Sequence, residues 1–524
     1  MTRFFWILGL LLMTHACSTS PAPDQPDAAL PDGGEPDAAE PDAGLISNFE
    51  LNYGDFTETH WGYALTENHQ GNLMVTGRTS GFGAGGDDYF LAEINRQGQM
   101  QRVRTFGSAL DERGTGIVKT ADGFILSGWG YHDDHVRTCQ LLRLDETGAL
   151  QDATKLLVSV ESVTESTVCL HTLDMGSRGF VAAGDIGGVS GVIVHRFDQQ
   201  AAHLWSKAYD MGTATYAQAI YELSDESLLV VGNTKRFDPK SDGYLLKLSA
   251  DGTPQWSVTY GIEDLHEGFA GATQLSNGTV VVAGTIARQI EDSEWTFLGG
   301  LLVRIDPETG TVIASHRYEP AAVAYSSVLI NRIEDDRFVV SGMAMEHEDW
   351  TSSVIEFDAD FNFIAEHRYG EQAEPEATSS GKTEMPPPPA PGDEQPVFYH
   401  RLDGGGYLLG GVSLGSFTFS DSSWLIATDG SNAGLCHVQN GVSELVLADA
   451  NRPTRELVTA VTIPTVTEIA TDFDAHERQG MLSDNSCQTS DDPLLLSLDS
   501  GLGVEVVWQD NSDVDVHLLY PDAE

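Results

Sequence analysis

Basic residues are scarce in this chain: 28 Lys and Arg stand against 79 Asp and Glu, a formal charge of −51. A polyanion would be repelled, which excludes nucleic acid as a partner and disfavours broad contact with anionic lipid. Long apolar runs are missing too. Beyond the first residues no segment approaches the roughly 18 apolar residues that a membrane-spanning helix needs. The body shows no helical periodicity, and cysteine is rare, at five. There is no Gly-x-Ser-x-Gly, no His-Glu-x-x-His, no phosphate-cradling glycine loop and no Cys-His pairing of recognisable spacing, so the common signatures of nucleophilic, metal and nucleotide chemistry are absent. A carboxylate pair can always be found among 79 acids, so without geometry it carries no information.

What the chain has is a repeat. Seven apolar runs end in glycine: LMVTG at Gly77, FILSG at Gly128, FVAAG at Gly184, LLVVG at Gly232, VVVAG at Gly284, FVVSG at Gly342 and YLLGG at Gly411. A second apolar run follows each and leads into a polar turn, as in YFLAEINRQG from Tyr89 and YLLKLSADG from Tyr244. A period of about 50 residues marks stacked supersecondary units. Within a unit, short β-branched and aliphatic runs bounded by Gly, Asp and Asn read as four strands. The glycine-ended runs are apolar throughout, as strands covered on both faces should be. The expected fold is therefore all-β, a seven-bladed β-propeller whose blades protect one another's edges.

The point of closure is also legible. Outer strands read WSKAYD from Trp205, WSVTYG from Trp256 and AEHRYG up to Gly370, whereas the seventh unit runs out of pattern after Thr428. Before the first unit, FELNYG aligns with WSVTYG, placing Phe49 on Trp256, Tyr53 on Tyr260 and Gly54 on Gly261. The N-terminal strand is thus expected to complete the seventh blade; otherwise an unpaired edge would be left there.

The first 17 residues, MTRFFWILGLLLMTHAC, join one Arg to a short apolar stretch and small residues before Cys17. This is a secretory signal. It resembles a bacterial lipoprotein signal, and the resemblance implies lipid on Cys17. Ser18 follows it, not the aspartate of inner-membrane retention, which points to the outer membrane or cell surface; plain secretion is the alternative. Residues 18–45 form a linker rich in Pro and Asp that cannot bury a core. The propeller is expected over 46–435 and a β-rich region over 436–524, where the chain stops inside a module. With Cys17 lipidated, Cys139, Cys169, Cys436 and Cys487 form an even set; the pairs 139–169 and 436–487 are favoured, with four free thiols as the alternative.

The repeat, with DG-(F/Y)-apolar-Gly and Trp-Ser-x-x-Tyr-Gly, resembles that of secreted bacterial β-propeller proteins. The end of the chain, VEVVWQDNSDVDVHLLYPDAE, is similar to an Asp-x-Asp-x-His stretch of β-sandwich-like modules. The first resemblance speaks to fold and implies a surface or extracellular module without naming a ligand.

Strands alternate in direction, so the connections between second and third strands share a face with those between blades. Long loops are expected on that face, where binding residues concentrate. They include Tyr131 to His135, Glu291 to Trp295 and His347 to Trp350. Candidate ligand-binding residues are Trp295, Trp350, His347, Asp349, Glu294 and Tyr131, aromatics among acids that could stack on a sugar or peptide; packing over their own blade is the competing reading. His132, Asp133 and His135 could ligate a metal, and Asp513 and Asp515 calcium, but short Asp/His segments are more often solvated turns, so no cofactor is assigned. Asp88 aligns with Asp242 at the same strand entrance, a repeated turn device. The reading that results is a lipid-anchored surface scaffold for a protein or glycan ligand. Its alternatives are an extracytoplasmic enzyme acting on polysaccharide through the long-loop face, and a purely structural module.

Overall fold

The computed structural model describes residues 48–428, except connecting stretches that include 133–134, 292–293, 347–348 and 370–397, and then the strands between Val438 and Leu519. Cys17, His347, Asp133, Cys436, Cys487 and the segments 1–45 and 370–397 lie outside the described residues. Among the described residues strands and turns dominate, with a short 3-10 turn at Gly176–Arg178. The sheets form a β-propeller. Unit one shows the plan: His60–Glu67, Leu73–Thr79, Asp88–Ile94 and Met100–Gly107 pair in sequence, each antiparallel to the next. First strands of successive units touch, and that of unit seven, Phe398–Arg401, returns to that of unit one.

The glycine that ends the apolar run of the second strand has a physical cause. In unit one the register of the first strand slips between Gly62 and Ala64, opposite Gly77. The bulge puts the Trp61 carbonyl where a side chain would begin, because a Cβ on Gly77 would lie 1.7 Å from that oxygen. Unit two repeats this: the slip falls between Gly114 and Gly116, and a Cβ on Gly128 would lie 2.0 Å from the Arg113 carbonyl. The same slip stands opposite Gly232, Gly284 and Gly342.

The Trp-x-x-x-Tyr motif fastens blade to blade. Tyr209 donates its hydroxyl to the Gly252 carbonyl at 2.7 Å, and Tyr260 to Gly310 at 2.7 Å, each in the turn between the third and fourth strands of the next unit. Trp256 also donates to Pro307 at 3.0 Å. Gly252 has φ +78° and leaves room for Trp205, whose ring a Cβ would meet at 2.7 Å. Phe49 does the same at the seam. A Cβ on Gly98 of unit one would lie 2.7 Å from the Phe49 ring, while Phe49–Gly54 pairs with Ser422–Thr428 of unit seven. Phe49 and Leu51 share one core with Leu408, Leu425 and Ala427 on one side and Leu73, Val75 and Phe90 on the other. The strand expected to complete unit seven lies where the alignment put it.

Two features correct the sequence reading. The outer strands, Trp205's and Trp256's among them, are not the edges of their sheets. A further strand from beyond residue 436 covers each one: Val438–Gly441 on unit six, Val446–Asp449 on five, Thr454–Glu456 on four, Ala460–Thr462 on three, Thr465–Ala470 on two, Asp474–Arg478 on one and Leu482–Asn485 on Phe49–Gly54. The β-rich tail is thus a belt that visits the units in reverse order and covers outer edges that would otherwise be open. Seven even units were expected, but the even plan holds for six five-stranded sheets. The sheet of unit two is six-stranded, because Val163–Glu165 also folds back onto Leu150–Val160. Leu494–Ser497, Gly503–Gln509 and Asp513–Leu519 make a separate three-stranded sheet. Asp513 and Asp515 belong to the last of these strands.

Candidate recognition site

Aromatic rings and guanidiniums meet on the face that carries the connections between second and third strands, where units one and two join. Trp61 and Arg78 are direct cross-strand partners, and the Arg78 guanidinium lies 3.6 Å from the Trp61 ring centroid. Unit two reverses the order: Arg113 on the first strand stands opposite Trp129 on the second, 5.0 Å from its ring. Such cross-strand cation–π pairs hold both side chains at fixed positions. Asp87 ties the two units together, accepting from Arg78 Nη1 at 2.6 Å and pairing with Arg113 Nη2 at 2.9 Å. Tyr63 and Tyr131 lie two residues beyond Trp61 and Trp129, and each makes an edge contact with its tryptophan, at 6.3 and 6.2 Å between centroids.

Burial grades across this cluster. Trp61 and Arg78 are buried; Tyr63, Trp129, Tyr131 and Arg113 are half-buried; Arg137, His132 and His135 are exposed. Arg137 stands opposite Tyr131 in the register and 5.5 Å from the Trp129 ring. Burial pushes the Tyr63 hydroxyl up to about 12, with the Arg78 charge opposing. Beneath the rim, Lys155 donates to the Tyr131 carbonyl at 2.8 Å and stands 4.0 Å from Glu112. Burial raises the Glu112 carboxyl and lowers the Lys155 amine. Burial also lifts Asp88 to about 7, with the Glu112 charge adding to it, while the Ala84 amide donates to its Oδ2 at 3.1 Å. The Asp88 carboxylate covers the glycine that ends the outer strand: a Cβ on Gly107 would lie 1.4 Å from its Oδ1. Asp242 covers Gly261 in the same way. The repeated aspartate is a strand-entrance device, and its 1% exposure keeps substrate from it.

Of the sequence candidates, Tyr131 belongs to this cluster. Trp295 and Trp350 were expected on long loops, but strands reach them. Val280–Glu291 and Glu294–Asp306 form one long hairpin with Trp295 opposite Gln289, and Phe338–Glu346 with Asp349–Phe357 forms another with Trp350 opposite Met345 and Asp349 opposite Glu346. Ile290, Trp295, Thr296 and Phe297 favour extended backbone, so pairing continues to the tip. His132 donates its amide to Val136 at 2.8 Å, closing the connection in which His135 also lies. Trp61, Tyr63, Arg78, Arg113, Trp129 and Arg137 were missed, although the tripeptide Trp-Gly-Tyr occurs at both Trp61 and Trp129. That repeat was the available signal. On the opposite face, a cleft of about 300 Å³ is lined by residues that include Thr120, Asp122, Ile125, Leu144 and Gln200.

The disulfide Cys139–Cys169 is present, with 5.0 Å between Cα atoms. It joins the third strand of unit two to the segment that enters unit three, inside a core with Phe180 and Phe197.

No protein family and no curated protein matches the chain. Among solved structures, it is similar to a protein of unknown function from Dyadobacter fermentans, at 12% identity and TM-score 0.38 over 72% of this chain and 98% of that one. It is also similar to the polysaccharide lyase Uly1, at 10% identity and TM-score 0.36 over 70% of this chain and 89% of that one. Likeness at this level is one of outline, and what the site recognises has to be argued from its own side chains.

Proposed function

We propose that the protein is a binding scaffold: a closed ring of seven blades, anchored by lipid on Cys17 at the outer membrane or cell surface, whose rim at units one and two holds a glycan. The observation that carries this reading is the pair of matched Trp-Gly-Tyr sets clamped by Arg78, Arg113 and Asp87. Rings fixed before binding lose little freedom when a sugar face stacks on them, and the exposed Arg137 offers donors to its oxygens. A protein ligand is the alternative occupant. A polysaccharide-cleaving role would need an acid or base within reach of substrate, and the perturbed carboxylates, Asp88 and Glu112, are both buried.

Seven closed blades are supported by the ring of first strands and by the belt, which meets every unit once. The belt also bears on the last cysteine pair. Its strands begin at Val438 on unit six and end at Asn485 on unit seven, and two to four residues bridge successive belt strands elsewhere, which favours Cys436 pairing with Cys487 across the gap. A non-reducing peptide map should recover that linked pair; both thiols alkylated in unreduced protein would refute it. The anchor is tested by Cys17→Ala, which should free the protein from membranes once signal processing is confirmed. Glycan-array binding set beside polysaccharide turnover by the purified protein tests the function: binding without turnover is expected, and turnover without Trp129-dependent binding would overturn the scaffold reading.

A further inference from the structure

His195 is fully buried on the third strand of unit three, and its Nε2 has no hydrogen-bond partner. Its other nitrogen, Nδ1, lies 2.6 Å from Ser206 Oγ, which is also 2.6 Å from His203 Nε2. A hydroxyl has one proton to give. If Ser206 donates to His203, it accepts from His195 Nδ1–H, and the lone pair of His195 stays on Nε2. A ring nitrogen of His195 and the sulfurs of Cys139 and Cys169 all lie within 4.8 Å of one another. A buried polar atom without a partner is costly, and imidazole beside two sulfurs is a donor set for a soft metal ion.

We propose that Cys139, Cys169 and His195 form a two-state site: a disulfide when oxidised and, when reduced, a Cys2His site for a thiophilic d10 ion, Zn2+ or Cu+. A dithiol reductant supplies two electrons and two protons. The S–S bond breaks, the dithiol becomes a disulfide, and Cys139 and Cys169 become thiols. The incoming ion displaces both thiol protons and takes two thiolate bonds and the Nε2 lone pair, leaving a fourth position for a small ligand. Ser206, bonded to Nδ1, orients the ring as an outer partner does in metal sites. The site sits where unit two meets unit three, so the same covalent or coordinate link joins the blades in either state.

The test uses the full chain, with and without reduction by a phosphine, and Co2+ as the probe. Reduced protein should bind one Co2+ with a thiolate-to-cobalt charge-transfer band and the intense visible bands of a four-coordinate ion, releasing two protons; oxidised protein should show neither band. The signal should survive Cys436→Ser with Cys487→Ser. His195→Gln should lower affinity by more than the ~10–100-fold that changes to outer partners cost. Competition with chromophoric Zn2+ and Cu+ chelators then identifies the preferred ion. Reduced protein that binds no Co2+, or a folded His195→Gln variant with unchanged affinity, would overturn the proposal. Should that variant fail to fold, X-ray absorption of the Zn2+-loaded unmodified protein decides: two sulfurs and one imidazole nitrogen support the site, and any other sulfur count overturns it.

Discussion

Replacing Phe49 with alanine should loosen the ring at one seam and nowhere else. The side chain is 5% exposed, rests on Gly98 of unit one, and shares its core with Leu425 of unit seven. Truncating a buried phenylalanine costs about 3–5 kcal/mol, the upper part applying where the surroundings cannot collapse into the space. Here they are held by strand pairing on both sides: Phe49–Gly54 is bonded to Ser422–Thr428 and to Leu482–Asn485. The loss should therefore be felt as local opening before global unfolding. Since each 1.4 kcal/mol is tenfold, amides of those strands should exchange about a hundredfold faster or more. Hydrogen exchange read by mass spectrometry resolves this, with Ile313→Ala, at a 54% exposed position, as the control. Unchanged protection in these strands, with a melting temperature equal to the parent's, would refute closure through Phe49.

Asp88→Asn should change the pH dependence of stability. A carboxyl raised from 3.8 to about 7 by burial binds its proton more tightly in the folded chain, so its contribution is fully present below about pH 4 and is lost as pH rises towards 7. The variant should melt higher than the parent at pH 8 and converge with it near pH 4; parallel curves would contradict the assignment. Ending the chain after His437 removes the belt and bares the outer edges, so size-exclusion chromatography should show self-association; a monomer as stable as the parent would argue against the edge-covering role.

The sequence disclosed what side chains enforce. The glycine-ended runs at Gly77, Gly128, Gly232, Gly284 and Gly342 were visible because a bulge in the neighbouring strand stands opposite the glycine, and at Gly77 and Gly128 its carbonyl forbids a Cβ. The closing strand was visible because Phe49 does for unit one what Trp205 does for unit four. The belt was not legible. Its strands, such as Thr454–Glu456 and Ala460–Thr462, are three to six residues long and join the outer edges by backbone pairing, which demands no side-chain pattern. The candidate site was half legible. Tyr131 was read from a loop, but the cluster around it depends on cross-strand register: Arg113 meets Trp129 only after the bulge has set which residues face each other.

The most direct test of the recognition face is calorimetric titration of a glycan that binds on the array into the parent, Trp129→Ala and Thr309→Ala, with folding of each checked by melting. Thr309 lies in the turn between the third and fourth strands of unit five, on the opposite face. Trp129→Ala should weaken binding by about 1–3 kcal/mol, the loss typical of an aromatic anchor, and Thr309→Ala should bind like the parent. Parent-like affinity in a folded Trp129→Ala variant, or a loss confined to Thr309→Ala, would contradict the account.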